Sequence, residues 1–186
     1  MGKKGLPLSL YTQHRLMESI MAEKTLHDLF HHTLKDIYYA EKKILGALPK
    51  MAKAAQSEEL KAAFQKHRDE TEAQIERLVE VFGIIEEKPQ GKTCPGINGI
   101  LEEGTEIMEE FKGSVALDAA LIAAAQAVEH YEITRYGALA TWAESLGLDD
   151  AVALLKETLD EEEQTDEDLS ALAESSANQK AQMAAE

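Results

Sequence analysis

Apolar residues return every three or four positions through most of this chain, the spacing of a buried stripe on an α-helix. Over residues 25–55 the stripe reads Leu26, Leu29 and Phe30, Thr33, Ile37, Ala40, Ile44, Leu48 and Met51. Thr25 stands ahead of it as an N-cap, and Asp28, three residues on, completes the pattern of a capping box. Pro49 is expected to kink or loosen the last turn. A second stripe over 57–82 begins after Ser57 and runs Leu60, Ala63 and Phe64, His67, Glu70 and Thr71, Gln74, Leu78 and Val81. Gly83 follows as a helix stop. A third, over 114–146, carries Leu117, Leu121, Ile122, Ala125, Tyr136, Leu139 and Ala143, and Gly147 ends it. A fourth, over 149–173, carries Val152, Leu155, Leu159, Leu169 and Ala173.

The first and second helices share a short turn, as do the third and fourth, so each pair is expected to be antiparallel. Residues 84–114 join the pairs, and a structureless link of that length would be unusual. Ile100, Leu101, Ile107, Met108 and Phe111 predict a short helix within it, over 98–111. Two antiparallel pairs joined by one long crossover make an all-α, ferritin-like four-helix bundle. The expected organisation is an N-terminal arm (1–24) with a short amphipathic helix, the bundle (25–175), and a flexible tail (176–186) that frays.

Each main stripe is interrupted by groups that do not belong in an apolar core. Glu41 falls on the first, His67 and Glu70 on the second, Glu129 and Glu132 on the third, and Glu162 and Asp166 on the fourth. A buried carboxylate is costly unless it is protonated, paired or bound to a cation. All seven positions lie near mid-helix, and in an antiparallel bundle mid-helix positions share a layer. Oxygen and nitrogen donors of this kind suit iron or manganese, and carboxylates can bridge two cations. The expected cofactor is therefore a dinuclear metal centre, with iron ahead of manganese. Taken singly, most of these residues would be helix-edge groups reaching solvent; their coincidence on four helices argues otherwise. Glu163 competes with Glu162, because it keeps a three-residue step to Asp166. The Glu-x-x-His step of di-iron bundles occurs on neither the second nor the fourth helix. Tyr38, Tyr131 and Tyr136 lie near these groups in sequence and could hydrogen-bond them.

Composition narrows the rest. The chain has 186 residues, 44% of them apolar, and a net charge of −16. That suits one folded domain and gives no basic stripe for nucleic acid. Cys94 is the only cysteine, so no internal disulfide can form. A reducing, cytoplasmic setting is expected, with neither signal peptide nor membrane span.

The runs DIYYAEKKILGALPKMAKAA, FQKHRDETEAQIERL, DAALIAAAQAVEHYEITRYGALATWAESLG and LLKETLDEEEQTDEDLSALA resemble the YciF-like bacterial stress-response family of ferritin-like proteins. The resemblance spans about residues 25–175 and implies a ferritin-like bundle, often a homodimer, with a dinuclear metal centre. Glu129-x-x-Glu132 also resembles the third helix of rubrerythrins, whose di-iron site reduces peroxide. Two functions follow as expectations. One is a di-metal carboxylate protein of stress response that reacts with oxygen or peroxide. The other is a non-enzymatic structural or interaction protein on the same scaffold.

Overall fold

The computed structural model describes residues 23–183; the predicted N-terminal arm lies almost wholly outside them. Five helices carry the fold: α1 (Leu26–Ala54), α2 (Glu58–Ile84), α3 (Pro95–Glu110), α4 (Leu117–Leu146) and α5 (Asp149–Leu172). A single π-helical segment, Ala173–Ala177, leads into a last short helix, α6 (Asn178–Met183). The described residues contain no strand.

Local chemistry sets the helix ends. Thr25 and Asp28 form the reciprocal capping box: the Asp28 amide donates to Thr25 Oγ1 at 3.2 Å, and the Thr25 amide to Asp28 Oδ2 at 2.8 Å. Ser57 Oγ accepts from the Leu60 amide at 3.3 Å and opens α2. The crossover helix begins three residues earlier than predicted, because Pro95 sits at its first turn, where the missing N–H costs nothing. Pro49 does not end α1, which continues to Ala54. Gly147 adopts φ +71°, the left-handed turn that reverses the chain between α4 and α5.

The bundle's four sides are α1–α2, α2–α5, α5–α4 and α4–α1, and α3 lies across α1 and α4. Asp118 fixes the topology. Its carboxylate accepts from the amides of Gln56 at 2.7 Å and Ser57 at 2.9 Å, so α4 begins beside the α1–α2 turn. The crossover must therefore carry the chain back along the bundle from the far end of α2, as the ferritin-like arrangement requires. Phe30, Phe64, Phe82, Leu34, Ile37, Ile44, Leu78 and Leu121 fill the interior. The stretch from Ser176, expected to fray, is instead helical to Met183, and Ala177 is buried against the core.

Candidate metal centre

At mid-bundle the packed interior turns polar. Glu41, His67, Glu129, Glu132 and Glu162 are each 3% exposed or less. They come from α1, α2, α4 and α5, so every side of the bundle contributes. One donor atom from each of His67, Glu129, Glu132 and Glu162 lies within 4.8 Å of the others. His67 Nε2 is 3.4 Å from Glu129 Oε1, and its Nδ1 is 3.9 Å from Glu162 Oε2. Tyr136, fully enclosed on α4, donates a short hydrogen bond to Glu41 Oε1.

Polar atoms in a protein interior are almost always hydrogen-bonded. Here they are not. Both oxygens of Glu132, both of Glu162, both ring nitrogens of His67, Glu129 Oε2 and Glu41 Oε2 are buried with no hydrogen-bond partner. Burial pushes Glu41 up to about 7 and Glu129 up to about 8, and holds Glu132 and Glu162 well above the usual carboxylate range. Burial also depresses His67 to about 4, so its imidazole is neutral at pH 7. A neutral imidazole ringed by crowded carboxyl groups is a set of electron-pair donors lacking an acceptor. A bound cation would supply it, and the oxygen-rich set with one imidazole fits iron or manganese.

Of the seven predicted ligands, the structure brings together five. Glu70 stays at the edge: its Oε1 is 3.0 Å from Lys66 Nζ, and its side chain is 24% exposed. Asp166 turns away. It accepts from Gln126 Nε2 at 3.1 Å and lies 3.4 Å from His130 on the outer side of the α4–α5 seam. Thr165 occupies the inward position instead, three residues after Glu162, with Oγ1 buried and unpartnered. Among the three consecutive glutamates, Glu162 faces inward while Glu163 is exposed.

Sequence reasoning missed the support beside Glu162. Arg77 of α2 binds Glu161 through two hydrogen bonds, of 2.6 and 2.7 Å, and Gln74 Nε2 donates to the same carboxylate at 3.0 Å. This clamp joins α2 to α5 next to an inward carboxylate and restricts its backbone. The available signal was the Gln74–Arg77 step facing an acidic run on another helix.

Fold and cluster define a class: a ferritin-like four-helix-bundle protein with a buried carboxylate–histidine cluster. Within that class the chain belongs to the YciF-like family, the family described as a domain of unknown function (DUF892), which matches residues 25–182. It is 47% identical over 163 residues to Protein YciF of Escherichia coli (strain K12), covering 87% of this chain and 98% of that protein. The crystal structure of the E. coli stress protein YciF aligns with a TM-score of 0.80 at 47% identity, over 83% of this chain and 98% of that one. YcfI from Rhodopseudomonas palustris aligns with a TM-score of 0.78 at 47% identity, over 80% of this chain and 95% of that one. No helix among the described residues is long and apolar enough to cross a membrane.

Proposed function

We propose that this chain is a di-metal carboxylate protein holding two divalent cations, iron or manganese, in the service of a stress response. The observation that carries the reading is the set of unpartnered, buried donor atoms on Glu41, His67, Glu129, Glu132 and Glu162. Four ionised glutamates among those residues would bring four negative charges, which two divalent ions neutralise. One ion alone would neutralise two of them and leave the other two carboxyls holding their protons, as burial favours in the metal-free protein.

His67, Glu129, Glu132 and Glu162, whose donor atoms converge, would hold one ion, and Glu41, which neighbours Glu132, would share the second with it. Bound iron or manganese supplies one-electron redox chemistry toward oxygen or peroxide. The protein's own part is to fix the ligands and to exclude water. Tyr136 holds Glu41 by its hydrogen bond, and the Arg77–Glu161 clamp holds the backbone next to Glu162. The stress setting rests on the E. coli relative, whose structure is described as that of a stress protein.

Elemental analysis by mass spectrometry, on protein purified without chelator or added metal, tests the reading. The expected result is about two iron or manganese ions per chain. Alanine at both Glu129 and Glu162 is expected to abolish binding. Stoichiometric metal in that double variant would overturn the assignment.

A further inference from the structure

A shallow recess opens on the α2–α5 face and leads toward the cluster. It has a volume of about 20 Å³, and Lys66, His67, Glu70, Glu129, Thr165 and Asp168 line it. That is room for about one water molecule. Its inner wall is made by two of the buried donors, His67 and Glu129, at 3% and 1% exposure. Its outer rim is made by Lys66 and Asp168, both 53% exposed, with Glu70 between the two levels at 24%. Lys66 Nζ spans the mouth, 3.0 Å from Glu70 Oε1 on its own helix and 3.8 Å from Asp168 Oδ2 on α5. Glu70 Oε2 is buried and has no hydrogen-bond partner.

We infer that this recess is the port through which divalent cations reach the centre, and that Lys66 is its resident plug. The inference rests on the proposed metal function. Glu70 then has a role distinct from that of a permanent ligand. One of its oxygens holds the lysine ammonium at the surface, and the other is the first free donor a cation meets below the rim. An arriving cation displaces the ammonium from Glu70 and Asp168, two carboxylates that attract either charge alike. Glu70 passes the cation to His67, three residues along the same helix, and Glu129, both with donor atoms free inside the recess. Room for about one water requires the ion to give up its hydration as it passes. Glu70, the unpartnered Thr165 hydroxyl and the imidazole replace water oxygens one by one along the way.

The test is the rate of cobalt(II) uptake by chelator-treated protein, followed under anaerobic conditions by the visible absorption of the bound ion. Lys66→Met removes the ammonium at similar length and is expected to load about two- to fivefold faster, the range of exposed ion-pair energies. Glu70→Gln is expected to load more slowly while reaching the wild-type stoichiometry. Ala63→Phe, at the half-buried residue lining the same recess, is expected to slow loading without changing the final amount bound. Wild-type rates in all three variants, with cobalt still bound, would overturn the port and leave the metal centre standing. Loss of stoichiometry in Glu70→Gln would also overturn it, by making Glu70 a ligand. No cobalt uptake by the wild-type protein would overturn the metal function, and the port with it.

Discussion

Two carboxylates on α4, Asp118 and Glu132, are both buried, at 7% and 0% exposure, and they differ in every other respect. Asp118 accepts from two backbone amides at the start of α2 and ties the beginning of α4 to the α1–α2 turn. Its charge also lies at helix N-termini, where the backbone dipoles favour an anion. Glu132, mid-helix, has no donor to either oxygen outside the cluster and faces the carboxyls of Glu41, Glu129 and Glu162. Burial of a charged residue type therefore does not itself mark a functional site. What separates the architectural carboxylate from the candidate ligand is whether the fold has already satisfied it.

The comparison is sharpest in its pH dependence, where the largest effect is expected. In metal-free protein Glu41 titrates near 7 and Glu129 near 8, against an ordinary glutamate value of 4.5. Groups whose folded values are raised stabilise the fold fully below the unfolded value, and that contribution is lost as pH rises through the folded one. His67 works in the opposite direction: depressed to about 4 from 6.5, it favours folding increasingly as pH rises across that interval. The two trends partly cancel below pH 6.5, and above it the carboxylates act alone. Metal-free protein is thus expected to lose stability between pH 6.5 and 8, by on the order of 1.4 kcal/mol per pH unit for each retained proton. Saturating manganese(II) should reverse the slope, because ionised carboxylates then become ligands. Thermal melts in chelator and in manganese at the two pH values measure both. Equal melting temperatures in chelator would break the contrast, and Glu132→Gln should flatten the slope.

Asp118 predicts a smaller change of the opposite character. Asp118→Ala leaves the Gln56 and Ser57 amides without their acceptor and is expected to cost about 1–3 kcal/mol. Metal stoichiometry should be unchanged. Urea denaturation with elemental analysis on the same sample would separate the two effects, and lost metal with intact stability would erase the distinction. Tyr136→Phe sits between the two cases, since it removes a single hydrogen bond to a candidate ligand. Partners of metal ligands typically matter by about tenfold or more in affinity. Competition with a chromophoric chelator should show that loss, with the fold retained.

The fold was legible because helix ends and stripes are local properties. Thr25 with Asp28, Ser57 and Gly147 each mark a boundary that the structure keeps. The site was legible in part, and the two residues that stand apart from the cluster, Glu70 and Asp166, do so for one cause. Buried positions on α2 step through Phe64, His67, Thr71, Gln74 and Leu78, and on α5 through Leu155, Thr158, Glu162, Thr165 and Leu169. These alternating steps of four and three follow the seam of a supercoiled bundle. Glu70 and Asp166 each sit one residue off that seam, beside a threonine that takes the inward position. Leu159 and Val152 likewise stay half-buried while Thr158 and Ala151 go inside. A stripe read by hydrophobicity favours the larger apolar or more reactive residue. The closely packed bundle takes the smaller one, and that preference depends on how near the helices approach, which no single helix encodes.

Asp166 gives the smallest expected effect and tests that lesson directly. Its partners are Gln126 and His130 on the outer side of the seam, so Asp166→Asn should keep metal stoichiometry and change stability by less than about 0.5 kcal/mol. Thr165→Val, at the inward position, removes an unpartnered hydroxyl while keeping its volume, so metal-free protein should gain stability from it. Chemical denaturation and metal analysis of the pair decide which residue faces the centre. If Asp166→Asn loses metal while Thr165→Val is neutral, α5 turns by about one residue when metal binds, and the seam reading fails at the one helix where it was most needed.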